Sequence, residues 1–179
     1  MLKITIPERE MFDETTQEFI KTKEYTLQLE HSLVSLSKWE AKWRVPFLSK
    51  EKKTIEQTID YVRCMTITQN IDPIVYNGLT NENLDAINKY IEDPMTATTF
   101  SKRSIGSSGE IVTSELIYYW MIALNIPMEC QRWHLNRLLT LVKVCNIKNE
   151  PGKKMSRNEI MNRNSALNAA RRKAMHSKG

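Results

Sequence analysis

The stretch from Ile111 to Cys145, IVTSELIYYWMIALNIPMECQRWHLNRLLTLVKVC, constrains the fold more than any other part of the chain. It reads as two apolar helices broken once, at Asn125-Ile126-Pro127. Ile117, Trp120, Met121 and Leu124 keep the i, i+3, i+4, i+7 spacing of one helix face, and Leu135, Leu138, Leu139 and Val142 repeat it beyond the proline. Thr113 or Ser114 suits the cap of the first helix, and Pro127 suits the first turn of the second, where its missing N–H costs nothing. Two such faces joined by a turn of two or three residues pack most readily as a helical hairpin.

The chain ahead of this stretch changes period once. Leu2-Lys3-Ile4-Thr5-Ile6 alternates apolar and polar up to Pro7, and Tyr25, Leu27 and Leu29 alternate with Thr26, Gln28 and Glu30. That period of two, in residues that favour extended backbone, predicts a small antiparallel meander over residues 2–30. A sheet this small must lean on helices. From Ser32 the spacing turns helical. Leu33, Leu36, Trp39 or Glu40, and Trp43 trace a stripe that ends before Pro46. Ile55, Ile59, Val62 and Met65 follow Thr54 as a second stripe, and Leu84, Ile87 and Ile91 form a third, stopped at Asp93-Pro94. Every proline, at positions 7, 46, 73, 94, 127 and 151, falls between periodic segments. Residues 95–110, rich in Ser, Thr and Gly, read as a flexible loop that serves as a plain connector, a hinge or a binding loop.

These segments predict an α+β fold: a small N-terminal antiparallel β-meander packed on a mostly helical body of about five or six helices, with a basic C-terminal helix or tail. Residues 1–150 form one domain in this reading, and residues 151–179 a basic extension. Charge marks the boundary. Residues 151–179 hold eight Lys/Arg against one acid, Glu159, for +7, and residues 1–150 hold eighteen against twenty, for −2. The basicity therefore lies in the tail, with Arg171, Arg172 and Lys173 at its centre. Ser156 and Glu159 have the spacing of a capping box, and Ile160, Asn164, Leu167 and Arg171 fall on one side of the helix that would follow.

Several chemistries find no support in the residues. The clustered glycines, Gly106 and Gly109, are not followed by the Lys-Ser/Thr of a phosphate-cradling loop. There is no G-x-S-x-G turn, and the three histidines, His31, His134 and His176, lack a nucleophile in recognisable spacing. Cys130 and His134 stand four apart, as two ligands on one helix would, but no second pair completes a zinc site. No metal and no cofactor is expected. Neither a run of eighteen apolar residues nor a signal peptide is present, so no membrane is expected either, and the three cysteines read as buried reduced thiols.

Trp133, His134, Asn136 and Arg137 put polar groups in the middle of an apolar helix. Two readings fit them: a buried polar network, or a docking surface, because Trp and Arg dominate interface hot spots. The basic tail likewise reads as a solvated end or as a contact for an acidic protein or for nucleic acid.

Four strings bear on that choice: His31-Ser-Leu-Val-Ser-Leu-Ser-Lys-Trp39-Glu40-Ala-Lys42-Trp43, Tyr90-Ile-Glu-Asp-Pro-Met-Thr-Ala-Thr-Thr-Phe100, Ser114-Glu115-Leu-Ile117-Tyr-Tyr-Trp120-Met121 and Trp133-His134-Leu-Asn136-Arg137-Leu-Leu139. Together they resemble a family of tailed-bacteriophage tail-morphogenesis proteins usually labelled tail assembly chaperones, and Leu167-Asn-Ala-Ala-Arg171-Arg172 is similar as well. The resemblance implies a non-enzymatic protein of the host cytoplasm that binds the phage tape measure protein or other tail proteins, and it allows a homo-oligomer. Its partner-binding residues would lie among Trp39, Trp43, Trp133 and Arg137. A virion structural protein of the neck, tail-completion or tail-tip class is the alternative. A small nucleic-acid-binding regulator is third, since the body is slightly acidic.

Overall fold

A computed structural model describes residues 1–13, 18–100, 111–149 and 157–175. Most of the expected loop over residues 95–110, and the capping box at Ser156, lie outside the described residues. The chain divides into two compact units, Met1–Val144 and Cys145–Gly179.

The first unit is the predicted antiparallel sheet on a mostly helical body. Strands β1 (Leu2–Ile6) and β4 (Tyr25–Leu29) pair antiparallel, as do β2 (Arg9–Asp13) and β3 (Glu18–Thr22). The pairs Ile6↔Tyr25 and Arg9↔Thr22 continue a single register, so the four strands make one two-stranded ribbon with a break near Pro7. Proline cannot donate to the ladder, which accounts for the break. Ile4, Ile6, Leu27 and Leu29 face inward and are buried, whereas Lys3, Thr5 and Thr26 face out, as a period of two requires. The open edge of β4 is covered by residues 65–68: Ile67 N–H donates to the Gln28 carbonyl at 2.8 Å, and Glu30 N–H to that of Met65 at 2.9 Å.

Helix α1 (Leu33–Trp43) starts where Ser32 and Ser35 close a capping box and stops at Arg44, whose φ of 55° leaves the helical region. Helix α2 (Ile55–Met65) begins at the Thr54 cap, and helix α3 (Asn81–Glu92) at Thr80. Between them a 3₁₀ turn, Pro73–Gly78, brings Gly78 so close to β1 that a Cβ there would lie 2.9 Å from Ile6 Cγ2. Helix α4 (Ser114–Ala123), a 3₁₀ turn (Met128–Arg132) and helix α5 (Leu135–Asn149) complete the body.

Two expectations are corrected here. Residues 111–145 do not form two helices joined by a short turn. Pro127 opens a 3₁₀ turn, Trp133 is extended, and α5 starts only at Leu135. The reason is that His134 makes a strand-like bridge with Ser32, and Leu135 N–H donates to the His31 carbonyl at 2.7 Å, which pulls this segment out of helix. The organising element is instead α1, which packs against α2 and also against α4 and the 128–132 turn. Leu33, Leu36 and Trp39 of α1 are fully buried.

The second correction concerns α2. Its inward face is Asp60, Tyr61, Val62 and Met65, while Ile55 is 81% exposed. Val62 and Met65 are buried and Ile59 packs against the core as the stripe predicts, so only Ile55 falls outside it, while Tyr61, stacked on Phe47 with ring centroids 3.9 Å apart, joins the inward face.

The second unit holds helix α6 (Arg157–Ala174), the basic helix expected in the tail.

Candidate docking surfaces and a buried polar cluster

The residues singled out from the sequence separate into an interior set and a surface set. His31 stands two residues after β4 and just before the Ser32 cap of α1, and its ring lies in the core. It is 2% exposed. Its Nδ1 lies 2.6 Å from the Tyr61 hydroxyl, and its ring meets that of His134 edge-on at 5.1 Å. Burial, and then the neighbouring His134, lower the His31 pKa to about 3. Burial likewise pushes the Tyr61 hydroxyl above its ordinary range.

His134 is held from both ends. Its Nε2 donates to the Tyr90 carbonyl at 2.9 Å, and its Nδ1 accepts from the Asn136 N–H at 3.3 Å. Asn136 Nδ2 in turn donates to the carbonyls of Ile91 and Asp93, both at 2.8 Å. Those carbonyls belong to the end of α3, where helix geometry leaves acceptors without partners. The Tyr90 hydroxyl closes the circuit by donating to Glu30 Oε1 at 2.7 Å. One polar network thus ties β4, α2, α3 and the start of α5 together. Both ring nitrogens of His134 are engaged, and Cys130 sits in the 128–132 turn rather than on one helix with it. Among the described residues no group of three or more metal-ligating side chains converges.

A second buried polar group was not expected. Glu40 is 7% exposed, and its two oxygens accept from the backbone N–H groups of Phe47 (2.8 Å) and Ser114 (2.7 Å). Ser114 opens α4, so this carboxylate sits where a helix start offers unsatisfied donors and positive dipole. Its place on the α1 stripe beside Trp39 is the signal that the sequence held, because a carboxylate there must be buried with a partner.

Of the four proposed partner-binding residues, Trp39 is fully buried and donates through Nε1 to the Gln57 carbonyl at 2.9 Å, so its ring offers no surface in this fold. Trp43 is half-buried and donates to Asp60 Oδ2 at 2.8 Å, while Lys42 pairs with the other carboxylate oxygen. Trp133 and Arg137 do come together at the surface. Trp133 is half-buried, and the exposed Arg137 guanidinium lies 4.2 Å from the ring centroid, a cation–π contact.

Two larger surfaces accompany this pair. Helix α4 is apolar nearly all round, yet only Ser114, Ile117 and Met121 are buried, leaving Tyr119 63% and Ile122 67% exposed. On α6 every side chain described is exposed, Arg171, Arg172 and Lys173 included. Among the described residues no helix is long and apolar enough to cross a membrane. Compared with protein families, curated proteins and solved structures, the chain has no significant match.

Proposed function

We propose that this chain is a non-enzymatic binding protein of phage tail morphogenesis, an assembly chaperone that holds the tape measure protein until tail-tube subunits replace it. The observation that carries the reading is α6, a basic helix whose described side chains are all exposed. An exposed surface that carries Leu167 beside Arg171 and Lys173 is one that a partner can cover. The string likeness to tail assembly chaperones supports the choice of client. In this reading Trp133 and Arg137 add an anchored aromatic contact, Trp43 contributes at most its exposed edge, and Trp39 serves the core alone. Each contact is weak, and many copies along one long client hold it by multivalency. Release follows when tube subunits compete for the same client surface.

The exposed apolar face of α4 favours a second reading, a subunit of the neck, tail-completion or tail-tip apparatus, because a permanent interface would bury Tyr119 and Ile122. Mass spectrometry of purified particles beside infected-cell lysate separates the two. Abundance in lysate with absence from particles, and capture of the tape measure protein by the tagged chain, is the outcome expected of a chaperone. Stoichiometric presence in the particle sinks that reading.

A further inference from the structure

We infer that α6 pairs with an acidic amphipathic helix of a partner protein, through a seam centred on Leu167. The inference rests on the binding-protein reading above and names the chemistry of the partner. Asn164, Leu167, Arg171 and Ala174 step alternately by three and four residues, the spacing of a helix seam that meets another helix. Met161 and Met175 flank it and are 62% and 78% exposed, and Leu167 at its middle is 46% exposed. At 18 residues the helix is about 27 Å long, enough for a two-heptad contact.

Charge selects the occupant. Residues 157–175 carry five Lys/Arg against the single acid Glu159, a net +4. A second copy of α6 would bring +4 against +4, and parallel pairing would set one Arg171 against another inside the seam. A partner helix with a glutamate opposite Arg171 relieves both problems, since opposite charges flanking a seam fix the choice of partner. A phosphate backbone would satisfy the cations as well, but it leaves no use for the apolar positions at Met161, Leu167 and Met175. Apolar spacing and charge together point to protein.

The test uses the full chain and three labelled probes followed by fluorescence anisotropy: a synthetic helical peptide with a leucine seam and glutamate flanks, the same peptide with lysine flanks, and a short DNA duplex. The native chain is expected to bind the glutamate peptide, Leu167→Asp to weaken that binding by about tenfold or more, and Arg171→Glu to shift preference toward the lysine peptide. Circular dichroism melting of the body is expected to be unchanged in both variants, which shows that neither acts by unfolding it. Failure to bind the glutamate peptide, binding to DNA alone, or a native dimer that Leu167→Asp dissociates would each overturn the inference. Capture of the tape measure protein by the Leu167→Asp chain at the native level would overturn the α6 assignment and leave the chaperone reading standing. Peptide binding without tape measure capture would support α6 and remove the tape measure protein as client.

Discussion

His31 and His134, far apart in the chain, meet edge to face with ring centroids 5.1 Å apart, and both are buried. The contact works because both rings find hydrogen-bond partners inside the fold. His134 is satisfied by a backbone carbonyl and a backbone N–H, and His31 by the Tyr61 hydroxyl.

Acid should therefore weaken the fold through His31. His31 is lowered to about 3 in the folded chain from an ordinary 6.5, so between these values the unfolded chain binds a proton that the folded chain refuses. Stability from this group is complete above pH 6.5 and falls as pH drops toward 3, by about 1.4 kcal/mol per pH unit. Urea unfolding at pH 7 and pH 5 should differ by about 2 kcal/mol, and His31→Gln should flatten that difference. An unchanged pH slope in the variant would show that His31 does not carry it.

Asn136 offers a test of the α3 end. Asn136→Ala removes two donors from the carbonyls of Ile91 and Asp93 and should cost about 2 kcal/mol. Asn136→Asp should cost more at neutral pH, because a carboxylate would face two carbonyl oxygens. If the two variants melt together, the side-chain amide is not what holds α3.

Glu40 should resist even isosteric change. Glu40→Gln keeps one acceptor but turns an amide N–H₂ toward the N–H of either Phe47 or Ser114. The expected loss is about 3 kcal/mol, readable as a lower urea midpoint at unchanged slope. A loss below about 0.5 kcal/mol, the range of ordinary surface changes, would mean that the carboxylate bridge is dispensable.

Helix α4 allows a comparison within one element. Ile117→Ala opens a cavity at a fully buried site and should cost about 3 kcal/mol, whereas Ile122→Ser, at a site 67% exposed, should stay within about 0.5 kcal/mol. The same near-neutral result is expected for Ile55→Ser, despite its place on an apolar stripe. Thermal melts of the three variants decide it, and a large loss at Ile122 would place that residue in an interface already formed by the isolated protein.

Local signals read well from the sequence, and long-range ones did not. Thr54 as cap, Ser32 as the point where the period changes, and the inward set Ile4, Ile6, Leu27 and Leu29 all follow from rules acting within a few residues. Trp133 and Arg137, four apart, also meet as a local pair. His134 and Asn136 fill the buried-network reading of that segment. What could not be read were partners set by the fold. Tyr61 turns inward because Phe47 stacks on it, and residues 133–134 leave helix because His31 and Ser32 claim them. Trp39 shows the same limit, since spacing puts it on a stripe without saying how deep the stripe lies.

The hydrogen bond from Leu135 N–H to the His31 carbonyl also bears on how the protein is made. Ribbon, α1 and α2 leave the ribosome early, but their polar centre stays open until residues 134–136 emerge about a hundred positions later. At about 5–20 residues per second, the nascent chain waits roughly 5–20 seconds with His31 unsealed, and roughly 2–8 seconds with the end of α3 unsealed. Over that interval the half-built body is the form most exposed to misassembly, and a clamp formed by one short segment ends it.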